Sequence, residues 1–87
     1  MPDYTLTFAG SARKELEKFP SQVVARIFAK IESLPATPRP PGCQKLRGNN
    51  ALWRIRVGDY RVRNEIDDAA RIVDLVGVGN RRDVCRN

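Results

Sequence analysis

Polar and apolar residues alternate from Asp3 to Phe8, with Tyr4, Leu6 and Phe8 on one side, the period of a half-buried strand. Gly10 and Ser11 interrupt it. Ser11 is a candidate N-cap for a short helix over Ser11–Phe19, in which Ala12, Leu16 and Phe19 recur at helical spacing. Pro20 and Ser21 restart the chain. Val24, Ile27, Phe28, Ile31 and Leu34 then mark the apolar stripe of a second, amphipathic helix, with Gln22, Arg26, Lys30 and Ser33 on its opposite face. So short a turn between two helices predicts an antiparallel helical hairpin. Pro35–Gly42 holds four prolines, so it is neither helix nor central strand and reads as the connector back to a sheet.

From Lys45 onward the period changes to that of strands. Ala51–Val57 sets Trp53, Ile55 and Val57 against Arg54 and Arg56. Gly58-Asp59 is a two-residue turn signal with glycine first, as a type II′ turn prefers. Tyr60–Ile66 alternates again, Asp67–Ala70 is a further turn, and Arg71–Val78 is β-branched and nearly all apolar, as a central strand would be. Arg81–Arg86 reads as a final edge strand or a tail. The expected order is β-α-α-β-β-β. That is an α+β fold, an N-terminal helical hairpin packed on one face of a mostly antiparallel sheet. With 87 residues the whole chain, 1–87, is expected to be one domain. Its core is small, which makes a partner a source of stability as well as of control.

Composition narrows the chemistry. The chain shows no signal-peptide pattern and no apolar run long enough to span a membrane, so a cytoplasmic protein with no membrane partner is expected. Cys43 and Cys85 read as unpaired reduced thiols. With no histidine to activate a thiolate or complete a ligand set, neither a cysteine nucleophile nor a zinc site is expected, and no metal or cofactor is implied. Sixteen Lys and Arg against ten Asp and Glu give a net charge of +6, which suits a polyanionic or acidic partner.

Where the charge falls is more telling than its sum. In the simplest register around Gly58-Asp59, Val57 pairs with Tyr60, Arg56 with Arg61, Ile55 with Val62 and Arg54 with Arg63. Arg54, Arg56, Arg61 and Arg63 then share one face, while Trp53, Ile55, Val57, Tyr60 and Val62 share the other, where Trp53 reads as a core residue. Like charges set directly opposite one another destabilise a sheet, so the face looks arranged for an anion bearing several charges. Arginine is also the better residue for planar, two-pronged phosphate contacts. The plain alternative is a solvated face, and a one-residue slip in register would undo the arrangement.

WRIRVGDYRV, Trp53–Val62, is similar to the central hairpin of RelE/ParE superfamily toxins. VGVGNRRDVCR, Val76–Arg86, KLRG, Lys45–Gly48, and the opening strand followed by FAGSARKEL extend the resemblance over nearly the whole chain. The resemblance implies a microbial-ribonuclease-like fold and cleavage of messenger RNA in the decoding site of the ribosome, without a metal, by basic residues that hold the backbone and stabilise the phosphate as the 2′-hydroxyl attacks. It assigns catalytic positions to Arg54, Arg56, Arg61 and Arg81. Lys45, Arg47, Arg63 and Arg82 are the further RNA-binding candidates.

This sequence departs from the pattern at three places. Cys85 stands where an aromatic residue or histidine that takes part in catalysis is usual, neutral Asn80 where histidine or lysine is frequent, and Asn64 where an aromatic is usual. Asn64 falls on the apolar side, where an amide leaves a packing gap or an unpaired polar group. Three readings stay open: an active messenger-RNA endonuclease, a variant that binds RNA or the ribosome without cleaving, and an inhibitor of DNA gyrase like the ParE branch. The resemblance also implies an acidic antitoxin as partner, within a homodimer or a toxin–antitoxin hetero-oligomer.

Overall fold

The most apolar strand lies inside the sheet, with a neighbour on each side. The computed structural model describes residues 3–46 and 51–80. Its elements are β1 (Thr5–Phe8), α1 (Gly10–Glu17), α2 (Ser21–Ile31), β2 (Gln44–Lys45), β3 (Leu52–Val57), β4 (Tyr60–Asp67) and β5 (Ile72–Asn80). The strand order is β1-β5-β4-β3-β2. β1 runs parallel to β5, and every other neighbouring pair is antiparallel. α1 packs on β5 and α2 on β3. The α+β class and the strand-helix-helix-strand succession are as expected, with one strand more than the pattern predicts. β2 is two residues long, with the pairs Gln44–Arg54 and Lys45–Trp53, too short for any alternation to announce it.

The core joins Ala12 and Leu16 of α1, Ile27 and Ile31 of α2, Leu34, and one side of the sheet: Ile55, Val62, Ile66, Val73, Leu75 and Val78. Strict alternation would not bring Leu75 and Val78 to the same side. Arg63 pairs with Gly77 but Asn64 pairs with Leu75, so Val76 is an extra residue, a β-bulge. Before it, Val73 and Leu75 face the helices. After it, Val78 does, and Gly77 and Gly79 turn to the outer side.

Past Phe8, β1 no longer covers β5, and α1 takes over. The Ser11 hydroxyl donates to the Val76 carbonyl (2.9 Å), and Glu15 Oε1 accepts from the Val78 N–H (2.8 Å). These side chains satisfy backbone groups that a missing strand would leave bare. This corrects the expectation for Ser11. The helix begins one residue earlier, with extended Ala9 at its N-cap and no side-chain cap, because the serine hydroxyl is committed to the bulge. α1 also stops at Glu17 rather than Phe19.

At the other end of the sheet, the proline-rich connector is clasped. Arg39 donates two hydrogen bonds to Asp68 (3.1 and 2.9 Å), the Tyr4 hydroxyl donates to Asp68 Oδ1 (2.6 Å), and the Arg39 guanidinium lies 4.8 Å from the centre of the half-buried Trp53 ring. Hydrogen bonds from Arg39, then from Tyr4, hold the Asp68 carboxyl below the usual carboxylate value, while the bond to Asp68 pushes the Tyr4 hydroxyl up. A depressed folded-state pKa contributes stability above the ordinary value and loses it as pH falls through the depressed one. Asp68→Asn is therefore expected to melt below the unaltered protein at neutral pH, with the gap closing as pH drops below the ordinary value of 3.8. Melting curves between pH 7 and pH 2 check this. A constant gap would show that the ionised carboxylate is not what closes the clasp.

Asn64 is only 1% exposed and its Oδ1 has no hydrogen-bond partner. A buried, unpaired carbonyl costs about 1–3 kcal/mol. Asn64→Leu is expected to raise the melting temperature by roughly 5 °C, since about 1 kcal/mol moves a domain of this size by 4–8 °C. Calorimetry of the two proteins checks it.

Candidate nucleic-acid interface

The β3–β4 hairpin has the register read from its turn: Val57–Tyr60, Arg56–Arg61, Ile55–Val62 and Arg54–Arg63. Gly58 has φ +60°, and Asp59 is not among the described residues with positive φ, as a type II′ turn requires. The outer face therefore carries two cross-strand rows. One runs Arg56, Arg61, Gly79; the other runs Gln44, Arg54, Arg63, Gly77.

None of the four arginines forms an ion pair among the described residues. Arg54 donates to Gln44 Oε1, and Arg56 Nε donates to the Gly58 carbonyl (3.2 Å). Arg61 Nε and NH1 and Arg63 Nε are shielded from solvent and have no acceptor. Charged donors left without acceptors are costly. A face kept only for solubility would be expected to pair them with carboxylates.

Lys30 of α2 lines, with Arg54, Arg56 and Arg61, a cleft of about 480 Å³. The cleft also touches Pro41, Gly42, Gln44, Ile55 and Gly58, and no carboxylate among the described residues lines it. Such a pocket can hold a phosphate or another multiply charged anion. Lys30 was not among the sequence candidates, because on its own helix it looks like part of a solvated face. Only the packing of α2 against β3 brings it there. Among the described residues no group of three His, Cys, Asp or Glu side chains could hold a metal ion.

The structure separates the other candidates. Arg63 stands in the second row, outside the cleft lining. Lys45 pairs with Trp53, which puts it on the opposite side of the sheet from the arginines, so it does not join their site. Arg47, Arg81, Arg82 and Cys85 lie outside the described residues. Cys43 is a free, half-buried thiol. No helix among the described residues is long and apolar enough to cross a membrane.

A family model described as the ParE toxin of type II toxin–antitoxin systems, parDE, matches residues 6–84. The chain belongs to this toxin family. The toxin is 30% identical to Toxin RelG of Mycobacterium tuberculosis, over 95% of this chain and 97% of that protein. Its fold matches the RelBE2 toxin–antitoxin complex of the same organism with a TM-score of 0.80 at 28% identity, covering 91% of this chain and 99% of that one. It matches the intact Escherichia coli RelBE toxin–antitoxin complex with a TM-score of 0.78 at 29% identity, covering 88% and 95%. The RelE-like resemblance read from the hairpin thus holds across the chain.

Proposed function

We propose that this toxin is a RelE-like endoribonuclease that cleaves messenger RNA in the ribosomal decoding site and so stops translation. The observation that carries this reading is the outer hairpin face, with four arginines in opposed pairs and, among the described residues, three solvent-shielded N–H-bearing nitrogens without acceptors and no ion pair. Arg54, Arg56, Arg61 and Lys30 would hold the scissile phosphate in the cleft and stabilise the charge that develops as the neighbouring 2′-hydroxyl attacks. Arginine suits that electrostatic role and not proton transfer, since it stays protonated. We assign Arg81 and Arg82 to the same backbone-gripping set. Cys85, where a catalytic aromatic or histidine is usual, leaves the acid–base part of the reaction weaker. An antitoxin is the proposed partner, as in the RelBE complexes. An acidic segment that folds on binding would suit the +6 chain. The proposed substrate goes with a cytoplasmic toxin.

Purified toxin added to translating ribosomes with a defined messenger RNA tests this. New 5′ ends within the decoding-site codon are expected. The match to the ParE model keeps a gyrase-directed reading in view. That reading needs no arginine face, and it would be favoured by unchanged RNA together with altered DNA supercoiling in a gyrase assay.

A further inference from the structure

Arg63 lies outside the cleft, yet it is held more tightly than a free surface arginine. Its guanidinium rests on the backbone of Gly77, its partner in β5. A Cβ built on Gly77 would sit 2.8 Å from Arg63 Cζ and 2.9 Å from its Nε, closer than real side chains approach. The bulge at Val76 is what turns Gly77 to this side. The Nε is shielded and has no acceptor, as are Nε and NH1 of Arg61. Glu65, two residues further along β4 on the same side, forms no ion pair with it.

Arg61 and Arg63 are two residues apart on one face, about 6.8 Å at the rise of an antiparallel strand. That step suits neighbouring phosphates of an extended single strand. We propose that Arg63, seated on Gly77, forms a second phosphate subsite, one nucleotide removed from the phosphate held in the cleft by Arg54, Arg56 and Arg61. This deepens the RNA reading above and rests on it. Gly77 is a positioning residue. It touches no RNA but leaves the guanidinium room to lie flat, and a methyl group there would evict the far end of a flexible side chain at little cost to the fold.

The test uses the whole toxin, ¹⁵N-labelled, titrated with two uncleavable 2′-O-methyl oligonucleotides: a dinucleotide with one phosphodiester and a trinucleotide with two. The unaltered toxin is expected to bind the trinucleotide more tightly. Arg63→Ala should leave dinucleotide binding within about twofold and weaken the trinucleotide about tenfold, the worth of one charge-assisted contact. It should also flatten the plot of log affinity against log salt by about 0.7 for the trinucleotide alone. Gly77→Ala should reproduce this loss although it removes no charge. Arg63→Gln, which keeps most of the side chain's bulk, guards against a folding artefact, and the amide spectrum of each free variant reports its fold.

Equal weakening of both oligonucleotides by Arg63→Ala, or of neither, overturns the second subsite. Retained trinucleotide binding in Gly77→Ala overturns the role of Gly77. Competition by triglutamate as strong as that by the trinucleotide overturns the proposal in favour of a carboxylate-binding face. If Arg61→Ala weakens both ligands and Arg63→Ala neither, the RNA reading stands without the second subsite. Failure of the unaltered toxin to bind either oligonucleotide overturns both phosphate subsites, and cleavage on translating ribosomes then decides the RNA reading separately.

Discussion

Arg61→Ala is expected to lower the rate of messenger-RNA cleavage on programmed ribosomes by about 10²–10³, the effect of losing one charge-stabilising donor from a phosphoryl-transfer site. Arg61 is the natural residue for the largest effect. It is the β4 arginine that lines the cleft, it stands opposite Arg56, and two of its guanidinium nitrogens have no acceptor in the free protein. Those nitrogens lose nothing by turning to a developing dianion. The loss should appear in the single-turnover rate at saturating ribosomes. The fold should not suffer, because removing one member of an opposed like-charge pair relieves up to about 1 kcal/mol of repulsion. A variant that melts at or above the unaltered temperature and still fails to cleave separates chemistry from folding. A variant that cleaves within about threefold of the original would mean the charge stabilisation comes from elsewhere and would discredit the cleft as the reaction site.

Leu75→Ala is expected to cost about 2–5 kcal/mol, a large share of the 5–15 kcal/mol that holds a typical domain together. Leu75 is fully buried in an interior strand, paired with Phe8 on one side and Asn64 on the other, and it is the last core residue before the bulge. The cavity left behind is bordered by strands on both sides and helices above, so little can collapse into it. Urea denaturation measures the loss, with the midpoint falling by one or more molar at the slopes usual for small domains. Val76→Ala provides the contrast. Val76 is the extra, half-buried residue of the bulge, so truncating it should cost clearly less. Equal costs would show that the two residues do not face opposite ways.

The hairpin could be read from sequence because every contributing signal was local. A two-residue period and a Gly-Asp turn fix its register, and an arginine at each outward strand position from Arg54 to Arg63 fixes its charged face. What escaped notice depends on distant parts of the chain. β5 is apolar at nearly every position, so its pattern fits either parity and conceals the bulge. Ser11 satisfies a local capping rule, yet its hydroxyl goes to a backbone carbonyl 65 residues away. Lys30 looks solvated on its own helix and becomes part of the cleft only through tertiary packing. Lys45 is basic like the hairpin arginines but lies across the sheet from them, because a two-residue strand fixes its side. Asn64 was recognised as out of place, and its unpaired carbonyl bears that out.

The bulge also uncouples which way β5 faces from how many residues it has. With Val76 outside the ladder, Leu75 and Val78 face the core three residues apart, and Gly77 takes the outer side between them. Removing Val76 would leave Asn64 opposite Leu75 and Arg63 opposite Gly77 and restore plain alternation, so both faces would survive. Ironing the bulge flat with every residue kept would do the opposite. Gly77 would turn inward, Val78 outward, and the Arg63 guanidinium would lose its seat on Gly77. At position 76 the chain can shed a residue without exchanging its two faces.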